Sequence, residues 1–160
     1  MSRIVSRLIP CLWFNGEAEA AAGHYVGIFP NSRITEVMRW PMDGMAPAGS
    51  VLTVTFELDG TTFVGLNGGP QFTFTEAVSF QVICETQEEV DHYWARLGEG
   101  GKEIECGWVK DRFGLSWQVV PKMLPEALAG ADRERAARVM QAMMTMVKLD
   151  IAALEAAGRG

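Results

Sequence analysis

The apolar positions of the chain change period in a fixed order, and that order occurs twice. Leu8 to Phe14 is a short apolar run that predicts a strand. Asn15-Gly16 then predicts a helix start, with either residue as the cap and Glu17 and Glu19 in the favourable first turn. Ala-rich sequence carries that helix to Phe29, and Pro30-Asn31 stops it. Arg33 to Trp40 alternates as a strand does, whereas Pro41 to Gly49 has no period and predicts a loop. Val51 to Leu58 and Thr61 to Asn67 predict two strands. Asp59-Gly60 joins them, because both positions of such a tight turn need positive φ. Residues 5–67 therefore read as β-α-β-β-β.

The same order returns after a linker at 68–76. Ala77 to Cys84 predicts a strand, and Thr86-Gln87-Glu88-Glu89 is a capping box that opens a helix. Val90, Tyr93, Trp94 and Leu97 follow at helical spacing, and Gly98 to Gly101 ends the element. Lys102 to Ile104 is a short strand. A hairpin rich in tryptophan then runs to Pro121 around a turn at Asp111 to Gly114. His24-Tyr25 and His92-Tyr93 fall near corresponding points of the two helices, as duplication would leave them. Beyond residue 121, Leu124 to Ala129 predicts a brief helical turn. Asp132 caps what reads as one long last helix, with Ala136, Val139, Met140, Met143, Val147, Ile151 and Leu154 along one stripe. That stripe can pack on the chain's own core or across a homodimer interface. The expectation is an α+β fold: one domain over 1–160, with modules at 5–67 and 77–121 and a C-terminal helical segment at 124–157.

Composition narrows the function classes. With 48% apolar and 21% charged residues the chain is globular rather than disordered. A net charge of -6 argues against a nucleic-acid backbone or an anionic membrane as the main partner. The basic start, Met1 to Arg7, is interrupted by Pro10 and Asn15-Gly16 too early for a signal peptide, and no run approaches a membrane span. Cys11, Cys84 and Cys106 are odd in number and lie in strand-like sequence, which reads as reduced thiols in a cytoplasmic protein.

The duplicated unit resembles the vicinal oxygen chelate superfamily, which includes glyoxalase I, extradiol dioxygenases and bleomycin-resistance proteins. Phe14-Asn15-Gly16-Glu17-Ala18-Glu19-Ala20-Ala21, Leu66-Asn67-Gly68-Gly69-Pro70, Glu88-Glu89-Val90-Asp91-His92-Tyr93-Trp94 and Cys106 to Pro121 resemble its PhnB-like branch, often labelled 3-demethylubiquinone-9 3-methyltransferase. The resemblance implies that each module rolls its sheet into a half-barrel and that the two line a cleft. It also implies that metal-dependent members hold their ion on the first and last strands of each module. Carried over by position, those ligands fall on Pro10, on Gly65 to Asn67, on Ser79 and on Gln118. Pro10 has no side-chain donor, and Ser79 and Asn67 are poor ligands, so the expectation is no conventional metal site and no cofactor. The methyltransferase label is not supported by the residues. A nucleotide-type methyltransferase needs a Gly-rich turn that opens a helix, and Gly98 to Gly101 closes one.

Strand alternation sorts the remaining candidates. Ser79, Gln81 and Ile83 share one face, as do Ser116, Gln118 and Val120, while Phe80, Val82, Cys84, Trp117 and Val119 take the helix side. On the first strand Pro10, Leu12 and Phe14 are expected to face the cleft. The expected ligand-binding set is Asn67, Ser79, Gln81, Ser116 and Gln118: neutral polar groups among apolar walls, suited to a small organic molecule or to bonding one another. Glu76 is a candidate general base and Cys106 a candidate core thiol. Two functions stay open, a small-molecule binding protein without catalytic metal and a metal-dependent lyase, isomerase or dioxygenase-type enzyme. The partners expected are a small ligand and a second copy of the chain.

Overall fold

The computed structural model describes residues 6–160, so the basic start at Met1 to Val5 lies outside the described residues. The chain forms two compact units, one running to Thr73 and the other beginning at Phe74. In the first, β1 (Cys11–Phe14), α1 (Ala18–Val26), β2 (Arg33–Arg39), β3 (Val51–Leu58) and β4 (Thr61–Asn67) build a sheet of order β1-β4-β3-β2. In the second, β5 (Ser79–Cys84), α2 (Gln87–Gly98), β6 (Lys102–Glu103), β7 (Trp108–Lys110) and β8 (Ser116–Pro121) build β5-β8-β7-β6. The outer leading strand is parallel to the last strand in both, and the remaining pairs are antiparallel. The same topology appears twice. This is the α+β fold of two β-α-β-β-β modules that the pattern predicts.

Each sheet turns one face to its helix. In the first unit Val54, Phe56, Leu58 and Phe63 are buried on the α1 side, where Phe56 stacks on Phe63 and Tyr25 lies against Phe56. Gly65 lets the helix come close, since a Cβ there would stand 3.1 Å from that of Ala18. Leu12 and Phe14 also belong to this buried side, which corrects the expectation that they face away from the helix. The run Leu8 to Phe14 is apolar throughout, so it carries no alternation from which a phase can be read. β1 is also shorter than that run, four residues at Cys11–Phe14. In the second unit Val82, Cys84, Trp117 and Val119 are buried as the pattern predicts, but Val120, expected to face the cleft, is buried too, against Leu124, Leu149 and Leu154.

The helix starts differ in origin. Thr86 caps α2, its hydroxyl accepting the Glu89 N–H at 3.2 Å while Glu89 accepts the Glu85 N–H at 3.1 Å. Neither Asn15 nor Gly16 caps α1. The cap position is Glu17, without a side-chain bond, and the Ala18 N–H donates at 2.9 Å to the Asn67 side chain, 49 positions away. Asp59-Gly60 makes the expected turn, with φ of 45° and 88°.

The C-terminal segment departs most from the pattern. Three helices replace one turn and one long helix: α3 (Met123–Ala129), α4 (Arg133–Met143) and α5 (Ile151–Arg159). Asp132 caps α4 as expected, but a second cap, Asp150, accepts the Ala153 N–H at 2.9 Å and starts α5. Between them the backbone leaves the helix to dock. Cys106 and Gly107 donate to the carbonyls of Met146 and Val147 at 2.8 Å each. The Gln87 side chain donates to the Leu149 carbonyl at 3.1 Å and accepts the Ile151 N–H at 2.8 Å. Leu149 fills the core with Val120, Leu124, Ala127, Val139 and Leu154. Ala136, Val139 and Leu154 of the stripe are therefore spent inside the chain's own unit, whereas Met140 and Val147 stay exposed. No helix among the described residues is long and apolar enough to cross a membrane.

Candidate functional site

The face of the second sheet turned away from α2 carries a set of polar side chains placed by strand alternation. Parallel pairing sets Ser79 beside Ser116 and Gln81 beside Gln118, and antiparallel pairing adds Lys110 beside Ser116. The side chains then link. The Gln81 amide donates to the Gln118 carbonyl oxygen at 3.4 Å, and the Gln118 amide donates to the Ser79 hydroxyl at 2.8 Å. Ser116 is fully buried at the foot of this row, and its Oγ has no hydrogen-bond partner among the described residues. An unpaired buried hydroxyl costs about 1–3 kcal/mol. Four of the five expected residues thus share one face.

Asn67 is the fifth. It belongs to the first unit, and both ends of its amide are engaged, Oδ1 by the Ala18 N–H and Nδ2 by the Val51 carbonyl at 3.1 Å. Its Oδ1 serves the start of α1.

The remaining titratable candidates are weaker. Glu76 pairs with Lys110. The hydrogen bond from the lysine, then its charge, hold the Glu76 carboxyl below the usual carboxylate range, which suits a fixed anion rather than a proton acceptor at neutral pH. Burial, followed by the charge of Glu89, pushes the Cys84 thiol up to about 12, and burial also raises Cys11. Cys106 is half-buried in a turn with φ 60°, not in a strand or the core. Its N–H donates to the Met146 carbonyl at 2.8 Å. His24 and His92 lie on α1 and α2, each with its ring near the following tyrosine.

The positions that would hold a metal can now be placed by register. Phe14 and Cys84 are the last buried residues of their leading strands. Matching them sets Gln81 against Cys11 and, through the pairs Cys11–Val64 and Gln81–Gln118, sets Gln118 against Val64. By the same offset Ser79 corresponds to Ile9, so the first-module counterparts of Ser79 and Gln118 in this register are Ile9 and Val64. Pro10 is out of phase and offers only its carbonyl, to the Val64 N–H at 2.9 Å. Val64 has no donor atom. Gln118 and Ser79 are neutral and satisfy each other, and no three His, Cys, Asp or Glu side chains converge among the described residues. The residues present do not fit a divalent ion.

Sequence reading missed two further features. Asp111 is a buried carboxyl, 3% exposed, that accepts the Phe113 and Leu115 N–H groups at 2.8 and 3.0 Å and the Trp117 indole N–H at 2.9 Å. An aspartate opening a tight turn is the signal that could have found it. The second is a pocket of about 710 Å³ in the first unit, with Trp13, Trp40, Met45 and Leu66 among its lining residues. The loop 41–49 that helps build it has no periodicity to read.

Paired mixed sheets built from a repeated β-α-β-β-β unit define the vicinal oxygen chelate class of protein. A family profile described as 3-demethylubiquinone-9 3-methyltransferase matches residues 6–120, and the chain belongs to that PhnB-like family. Among solved structures it is similar to the PhnB protein of Bacillus cereus, provisionally described as a 3-demethylubiquinone-9 3-methyltransferase. The two are 32% identical over 72% of this chain and 99% of that one, with a TM-score of 0.67. A Pseudomonas aeruginosa protein (18% identity, 72% and 97% covered, TM-score 0.60) shares the fold. So does the fosfomycin resistance protein FosX of Mesorhizobium loti (14% identity, 85% and 100% covered, TM-score 0.52). The curated proteins contain no match. The family label is not matched by a nucleotide-binding turn: Gly98 to Gly101 closes α2, with φ of 73° at Gly100.

Proposed function

We propose that this chain binds a small polar organic molecule on the free face of its second sheet, without a conventional metal centre. The observation that carries the reading is the Gln81–Gln118–Ser79 row standing beside a buried, unpartnered Ser116 hydroxyl. Such a row offers donors and acceptors of no net charge, which fixes the orientation of a polar ligand without demanding a charged one. Nothing in the row is a nucleophile with an adjacent base, and Glu76 is held ionised by Lys110. Binding rather than turnover is therefore the function these groups support best. Ala136, Val139 and Leu154 of the C-terminal stripe are buried within the chain, whereas Met140 and Val147 are exposed and leave part of it to a homodimer, which belongs to this proposal.

The test pairs metal analysis with ligand binding. Purified protein is expected to carry no stoichiometric Zn, Ni, Fe or Mn. A library of small neutral polar compounds is expected to yield binders whose affinity falls about tenfold in Gln118→Leu. Stoichiometric metal coordinated by Gln118 and removed by chelator would sink the metal-free reading. Light scattering on a sizing column checks the dimer.

A further inference from the structure

We infer that the pocket of the first unit is a separate binding site for a neutral, planar aromatic molecule. It goes beyond the reading above, because it lies among residues 13–71 and shares no side chain with the Gln81–Gln118 row.

The walls are rigid where a flat ligand would need them. The Trp13 indole N–H donates to the Gly69 carbonyl at 2.9 Å, and Phe72 meets the Trp13 ring edge-on at 4.9 Å between centroids. Gly68 is required beside it, since a Cβ there would stand 2.4 Å from the indole. Trp40 is held from the backbone, its N–H donating to the Ser50 carbonyl at 2.8 Å and its carbonyl accepting the Gly49 N–H at 2.9 Å. Those bonds close the 41–49 loop into a compact turn, and the Trp40 ring lies over Gly44, where a Cβ would be 3.0 Å away. Two fixed indoles present stacking area at little ordering cost, and Leu66 adds apolar wall. Met45, 79% exposed on the loop, is a soft and adaptable rim.

The chemistry of the lining sets the charge of the occupant. Among the described residues, the polar side chains that line the pocket are Asn15, Ser50, Asn67 and Gln71, with no Asp, Glu, Lys, Arg or His. Burying an ion without a counter-charge is expensive, whereas an amide or hydroxyl can meet one polar substituent. The volume suits a small drug-sized molecule.

The experiment titrates neutral 2-naphthol and, separately, anionic 2-naphthoate into the full chain labelled with ¹⁵N. The five tryptophans give five indole N–H signals. Naphthol is expected to shift Trp13 and Trp40 and to leave Trp94, Trp108 and Trp117 in place, with naphthoate at least about tenfold weaker. Trp40→Leu is expected to weaken naphthol by about tenfold. If that variant does not fold, Met45→Lys serves instead: at an exposed rim position it adds a cation and should narrow or reverse the preference for the neutral ring. Absence of saturable shifts up to the solubility limit would overturn the proposal. So would shifts confined to the other three indoles, or equal affinity for the two compounds. Because Gln118 is remote in sequence and belongs to the other unit, Gln118→Leu should leave naphthol binding unchanged. Failure here is thereby distinguished from failure of the polar-face reading.

Discussion

The two modules share strand order, pairing sense and a helix on one face, yet they are secured by different means. The second solves its local problems with near neighbours in sequence. Thr86 caps α2 three residues ahead, and Asp111 organises its own turn and ties down Trp117 six residues on. The first reaches across the chain, with Asn67 at the end of β4 capping α1. Their free faces differ too. Where the second has Gln81 and Gln118 the first has Cys11 and Val64, and where the first has Trp13 and Leu66 the second has Ile83 and a Val120 that the C-terminal core covers. One topology therefore carries a polar row in one copy and an indole-lined pocket in the other. Duplication fixes the backbone plan and leaves side-chain chemistry free to diverge.

The largest expected effect comes from breaking the local hub. Asp111→Ala leaves three donors without their acceptor, two of them buried, and should cost about 3 kcal/mol or more, read as a fall in the urea midpoint. A loss below about 1 kcal/mol would show that the turn does not depend on the carboxyl. Next in size is Gly68→Ala, which forces a methyl into the Trp13 ring and should cost about 1–3 kcal/mol. It should also move the Trp13 indole signal. The caps give the sharpest contrast. Asn67→Ala removes bonds to two backbone groups and should cost about 2 kcal/mol, against about 1 kcal/mol for Thr86→Ala. Equal losses would erase the distinction between a cap supplied at long range and one supplied locally. Hydrogen exchange at Ala18 and Glu89 should show which helix start frays in each variant.

The smallest effect is electrostatic. Glu76 is depressed by Lys110, so their ion pair is intact above the ordinary carboxylate range and is lost as pH falls through the depressed value. In Lys110→Met the Glu76 titration, followed by carboxyl ¹³C shifts, should move up toward the usual value. An unchanged titration would mean that the lysine is not the cause.

Much of this protein is decided within short stretches of chain. Alternation, the Asp59-Gly60 turn, the Thr86 box and the Gly98 to Gly101 stop act over a few residues, and so both modules and the polar face of β5 and β8 were legible. Phase was lost where a run is uniformly apolar, as at Leu8 to Phe14, because burial on one face and on both leaves the same pattern. The last helix misled for a different reason. Val147, Ile151 and Leu154 continue the helical stripe on paper, but Gln87 and the backbone of Cys106 and Gly107 capture residues 146–151 at sequence separations no window spans. Helical bonds there yield to tertiary ones of similar strength, and Leu149 gains full burial.

The duplicated β-α-β-β-β order, the placing of Ser79, Gln81, Ser116 and Gln118 on one face, and the poverty of metal ligands were determined by the sequence alone, since each follows from local period and residue type. Tertiary structure alone decided that Asn67 belongs to a helix cap, that Asp111 is buried, that the C-terminal stripe is broken, and that Trp13 and Trp40 border a pocket. Each of these joins groups whose separation along the chain hides the hydrogen bond or the close packing that gives them their role.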